Sequence, residues 1–295
     1  MTEKDLRQRF VKNFDLPFSV LDSPWFEYFL DLYEEDYKSK TTWEKLQGEL
    51  GNPGEYLYDY GKARDLVISE IESCPEYKAL VSDSEFFEKY KIPGEVTKEL
   101  YTEGQVGNLF LGIDLKEANY QALKYYDPGI VRPYEKVRDS SLFLSSKYTR
   151  QVIFGKLSSR RIVTLERFLM YQISCIISEL LPPGTELFSR KTDEIIYTLP
   201  EKSGVRWDDI KTQVKRKLGV EVKVEIFRLG QLKLDTVTGY TKDYIIPFKK
   251  PSLHCVPKDY FAQMYKYWKG LKVDPYYDLV FTRDDRLAHF DTPLL

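Results

Sequence analysis

Three carboxylates in apolar settings are the residues of this 295-residue chain best placed to do chemistry: Asp114, Asp193 and Glu194. Asp114 ends the short apolar run Asn108-Leu109-Phe110-Leu111-Gly112-Ile113, and Asp193-Glu194 lies between two further apolar stretches, Glu186 to Lys191 and Ile195 to Leu199. Carboxylates brought together repel one another until a cation neutralises them. Mg²⁺ or Mn²⁺ suits oxygen donors of this kind, and a pair of such ions can serve both the attacking and the leaving oxygen of a phosphoryl transfer. Each residue also has a plain structural reading. Asp114 with Glu117 has the form of a D-x-x-E helix cap, and an Asp-Glu pair is ordinary turn chemistry.

Positive charge is concentrated between the two acidic motifs. Arg132 to Arg167 contains Lys147, Arg150, Lys156, Arg160 and Arg161 among nine basic residues, against Glu135, Asp139 and Glu166. Such a segment in a chain of net charge −2 reads as an anion-facing surface or as a solvated helix face. Arg offers planar, bidentate phosphate recognition and Lys a point charge, so Arg150, Lys156 and Arg160 are the candidates for holding a triphosphate. Further on, Lys233, Lys242, Lys249 and Lys250 alternate with Tyr240, Tyr244 and Phe248. That pattern suits a nucleic-acid grip or an edge hairpin protected by lysines.

The elements that must position these groups can be read from periodicity. Residues 1–105 have helical spacing, as in Trp25, Phe26, Tyr28, Phe29, Leu32 and Tyr33, broken at Gly51-Asn52-Pro53-Gly54 and Pro93-Gly94. Residues 106–229 read as strand, helix, two strands, helix, strand, with a helix from about Arg160 to Leu181, another from Trp207 to Leu218 and a last strand from Val220. This is the βαββαβ order of a ferredoxin-like antiparallel sheet. In that arrangement the first and third strands are central neighbours, so Asp114 is expected to meet Asp193-Glu194. Residues 230–295 complete an α+β chain with a hairpin and a helix opened by Pro257.

Composition narrows the classes. Aromatics make up 15% of the chain, with 23 Tyr, residues that suit half-buried surfaces and base stacking alike. Three scattered cysteines and two histidines offer no zinc spacing. Cys175, within Ile173-Ser174-Cys175-Ile176-Ile177, is expected in the core. The charged start MTEKDLRQRF and the absence of any apolar run of about 18 residues lead us to expect a soluble, intracellular protein without membrane contact.

Gly112-Ile113-Asp114-Leu115-Lys116-Glu117-Ala118-Asn119-Tyr120 resembles motif A of reverse transcriptases and related palm polymerases. Ser189-Arg190-Lys191-Thr192-Asp193-Glu194-Ile195-Ile196-Tyr197 resembles their motif C, in an Asp-Glu form similar to that of translesion polymerases and tRNA-histidine guanylyltransferases. The resemblance implies a palm domain with catalytic metal ligands at Asp114, Asp193 and Glu194. It also implies an intervening basic insertion on the triphosphate and a following basic, aromatic strand pair on the primer, where Lys233 falls. Asn119 stands where reverse transcriptases carry an aromatic sugar gate, and no polymerase motif B is present. Over more of the chain, the segments 113–124, 146–157 and 193–197 are similar to an uncharacterised protein group of giant viruses and large phages, which implies a viral origin.

The expected activity is metal-dependent nucleotidyl transfer on nucleic acid with nucleoside triphosphates. Two alternatives stand beside it. One is an RNA-recognition-like module stacking bases on Phe110 and Tyr197. The other is a non-catalytic assembly subunit with a degenerate palm, docking a protein partner through the N-terminal helices.

Overall fold

The computed structural model describes residues 2–94, 96–201, 204–284 and 286–294. The fold is α+β. Its central sheet has six strands: β1 (Leu109–Leu115), β2 (Glu186–Arg190), β3 (Glu194–Leu199), β4 (Val222–Leu234), β5 (Val237–Ile246) and β6 (Ser252–His254). They lie in the order β2-β3-β1-β4-β5-β6, and all neighbours are antiparallel.

Alternation along the strands sends side chains to opposite faces. One face carries Leu111, Ile113, Ile195, Tyr197, Val222 and Val224 into the largest core. The other carries Phe110, Ile196 and Phe227, packed with Phe188, Leu100 and Leu229 in a smaller cluster. The first face is covered by helices. These are α1 (Ala118–Tyr126), α2 (Ser159–Ile177) and α3 (Trp207–Leu218), which contribute Leu123, Leu165, Leu169, Ile210 and Val214. Gly219 ends α3 at φ +72°, a left-handed turn that glycine adopts without steric penalty.

The N-terminal helices are divided between two cores that cut across the boundaries expected at 105 and 229. Val67, Ile71, Leu80 and Phe86 join the core beneath the sheet. Leu6, Phe10, Phe26, Phe29 and Leu46 pack instead with Phe143, Leu234, Phe261 and Tyr265. Buried polar links reinforce this second union. Asp278, fully buried, accepts a hydrogen bond from the Tyr28 hydroxyl at 2.6 Å and forms an ion pair with Lys266 Nζ at 2.7 Å.

Two local expectations are corrected. Asp114 does not cap a helix: it lies inside β1, and the residue preceding α1 is Glu117, at φ +50°. Cys175 is exposed, because the helical period buries Ile173 and Ile177 and turns the residue between them outward. Among the described residues, no helix is long and apolar enough to cross a membrane.

Candidate active site

Asp114, Glu194 and Glu225 lie on the sheet face away from the helices. Asp114 is the register partner of Glu194 on β3 and of Lys223 on β4, and directly opposed residues share a face. Two positions down, Gly112 opposes Glu225. Asp193 occupies the β2–β3 turn, held to the end of β1 by the Leu115 N–H donating to its carbonyl at 2.9 Å. A backbone bond from Lys191 N–H to the Glu194 carbonyl at 2.8 Å closes the same turn.

The electrostatics follow from this placement. Burial, with the charges of Asp193 and Glu194 adding to it, pushes the Asp114 carboxyl up to about 6, while Lys223 acts in the opposite direction. Glu225 is buried, which disfavours its ionisation, yet hydrogen bonds from Lys223 and Lys249 outweigh burial and hold it below the usual carboxylate range. Those lysines stand 2.7 and 2.6 Å from its carboxylate. Lys242 Nζ, itself buried, is 3.7 Å from Glu194 Oε1 and lies over the Phe227 ring.

A further carboxyl approaches from the helical layer. Glu166 on α2 is only 3% exposed and accepts a hydrogen bond from Asn119 Nδ2 at 2.7 Å. Burial, reinforced by Asp193, raises it to about 8, so it carries a proton at neutral pH. The pair joins the first turn of α1, just after Asp114, to the middle of α2.

The cations singled out in the sequence fare differently. Arg150 is half-buried and bonds Glu117 at 3.0 Å, three residues past Asp114. Lys156 lies 3.9 Å from Asp65, and Arg160 sits over the Phe87 ring. Lys233 is exposed near the β4–β5 turn, opposite Thr238. It is ten residues along β4 from Lys223, roughly 33 Å at the usual rise per residue. Lys156, Arg160 and Lys233 are thus engaged or placed elsewhere. The ammonium groups paired to the acidic face are those of Lys223, Lys242 and Lys249.

Lys223, Glu225 and Glu166 escaped sequence reasoning, although each left a signal. In Val222-Lys223-Val224-Glu225-Ile226 the charged residues occupy one side of a strand whose other side is apolar. Glu166 falls four residues after Ile162 and three before Leu169, on the buried stripe of an amphipathic helix. Phe110 and Tyr197, the candidate base-stacking pair, are both buried and face opposite sides of the sheet.

Among the described residues, no three His, Cys, Asp or Glu side chains stand close enough to form a metal cage from protein ligands alone. The donors present, carboxylate oxygens on Asp114, Asp193 and Glu194, are nevertheless the type that fits Mg²⁺ or Mn²⁺. Mg²⁺ commonly takes one or two carboxylates and completes its shell with water and substrate phosphate.

Fold and site together define an α+β protein whose antiparallel sheet bears helices on one face and an acidic, lysine-flanked cluster on the other. Comparison with known proteins adds no family to this description: no family model matches the chain, and no curated protein shows significant similarity to it.

Proposed function

We propose that this chain is a metal-dependent nucleotidyltransferase of the palm type, acting on nucleic acid with nucleoside triphosphates. The observation that carries the reading is the pairing of Asp114 with Glu194 across the β1–β3 ladder, with Asp193 in the adjoining turn and the Asp114 carboxyl pushed up to about 6 by burial first and by its acidic neighbours second. A cation would relieve that repulsion. The strand order β2-β3-β1-β4 supports a ferredoxin-like palm, since it places the first and third strands side by side at the centre. The likeness of residues 112–120 and 189–197 to motifs A and C points the same way. The likeness to the virus and phage group supports action inside an infected cell.

Asp114 and Asp193, with Glu194 beside them, would hold Mg²⁺ or Mn²⁺. Ions of this kind supply charge neutralisation at the transferring phosphoryl group and activation of the attacking oxygen. The protein's own part is positioning. Arg150, anchored on Glu117, and the lysines at Glu194 and Glu225 provide positive charge beside the carboxylates. Buried Glu166 fixes Asn119 on the first turn of α1.

The test is nucleotide addition to a primer with Mg²⁺ or Mn²⁺. Wild-type protein should extend it, and Asp114→Ala and Asp193→Ala should each reduce the rate at least a hundredfold. Extension that survives both substitutions removes the mechanism.

A specific observation favours a second reading, a degenerate palm serving as an assembly subunit. Lys242 on Glu194, and Lys223 with Lys249 on Glu225, neutralise two of the carboxylates without any metal. On this reading Mg²⁺ and Mn²⁺ leave the melting temperature unchanged. The N-terminal helices, which bury Phe10, Phe26 and Phe29 against their own chain, would then offer only their outer faces to a partner.

A further inference from the structure

The segment joining β5 to β6 holds an aromatic side chain that the fold does not use. Phe248 is 97% exposed, and Ile245 nearby is 48% exposed. A Phe side chain carries roughly 150–250 Å² of largely apolar surface, and leaving it in water gains the fold nothing. The residues around it are tied down. Lys249 bonds Glu225 at 2.6 Å and lies over the Tyr244 ring at 3.6 Å. Lys250 pairs with Glu35 of the N-terminal region, and the Tyr244 hydroxyl bonds Ser252 at 2.7 Å across the base of the segment. Phe248 is therefore presented by an anchored segment, which lowers the entropy lost on contact with a ligand.

Its location is equally defined. β5 runs back along β4 so that Ile246 opposes Ile226, and the chain continues towards Glu225 and Lys223. This is the strand end at which Lys223 opposes Asp114. The residues that follow Phe248 in the chain line a cleft of about 330 Å³, formed by Tyr244, Lys249, Lys250, Ser252 and Trp268 with Glu35 and Asp36 at its wall. Those two acidic residues already have lysine partners, Lys250 and Lys269.

We propose that Phe248 is a stacking platform for a base of single-stranded nucleic acid, with the adjoining lysine-lined cleft taking the neighbouring phosphate. The proposal rests on the nucleic-acid reading above and names the form of the substrate: an unpaired strand reaching the carboxylate face. Size argues for this occupant. One aromatic ring matches one base, whereas a stable protein contact needs about 800 Å² from each partner. The cleft's two lysines, Lys249 and Lys250, would exchange their carboxylate partners Glu225 and Glu35 for the phosphate.

The experiment is fluorescence anisotropy of the full chain with labelled oligo-dT and oligo-U, and with an abasic strand of equal length. Phe248→Ala is expected to weaken binding of both base-bearing strands about tenfold and to leave the abasic strand unaffected. Phe248→Trp should retain affinity, and its indole emission should be quenched as strand is added. Equal affinities for Phe248→Ala and wild type, equal binding of the abasic strand, or no strand binding by wild type would overturn the proposal. So would self-association in sedimentation that Phe248→Ala abolishes while strand binding is unchanged. Failure of the catalytic reading registers separately, as strand binding that persists in a protein that adds no nucleotide.

Discussion

Asp114 and Glu194 are direct partners in one antiparallel ladder, so two carboxylates far apart in sequence are fixed side by side on a half-buried sheet face. Like charges opposed in a sheet are destabilising. The fold tolerates them because Asp114 takes up its proton more readily than a free aspartate and Lys242 stands near Glu194.

Asp114→Asn should therefore stabilise the metal-free protein at neutral pH. With the folded pKa raised to about 6, the folded state holds its proton more tightly than the unfolded one. Wild-type stability should fall as pH rises from about 4 to 6 on this account, and the penalty is complete above that range. After allowance for partial solvent screening the gain from Asn is roughly 1–2 kcal/mol. Thermal melts in EDTA at pH 4.5 and 7.5 measure it. Added Mn²⁺ should raise the wild-type melting temperature and leave Asp114→Asn unmoved; equal Mn²⁺ shifts in both proteins would falsify the metal assignment.

Glu166→Gln is expected to be nearly silent near pH 4.5 and increasingly stabilising towards pH 8. A carboxyl whose folded pKa is raised to about 8 makes the protein less stable as pH climbs from its unfolded value to that point. Gln keeps the acceptor for Asn119 without that liability. The difference in melting temperature between variant and wild type, followed across this range, should widen steadily. A flat difference would mean that Glu166 is not held protonated.

Asp278→Ala tests the union of the N-terminal helices with the C-terminal part of the chain. It removes the carboxylate that pairs with buried Lys266 and accepts from Tyr28. Leaving a buried ammonium unpaired costs about 3–5 kcal/mol. Urea unfolding should show a loss of that order, and an unchanged midpoint would show that the network contributes little.

The corrections above share a pattern. The apolar run ending at Asp114, the Asp193-Glu194 turn and the alternation of β4 were all legible, since each is a local pattern or a local departure from one. Cys175 departs from expectation because a helix buries only one side of an apolar run. The basic residues were harder. Lys156, Arg160 and Lys233 look like Lys223, Lys242 and Lys249 in composition and spacing, yet they are engaged elsewhere or stand far along the strand.

What the sequence by itself determined is therefore periodic and local: where helices and strands run, which side of each is apolar, and which carboxylates interrupt those sides. Backbone geometry repeats every 3.6 or 2 residues, so neighbours in sequence suffice to reveal it. Tertiary structure alone decided which charges meet. The order β2-β3-β1-β4-β5-β6 and the register of each ladder set the Asp114–Glu194 and Glu225–Lys249 pairings, and helix packing brought Glu166 onto Asn119. Those contacts depend on apolar faces closing against one another across the whole chain, which no local spacing encodes.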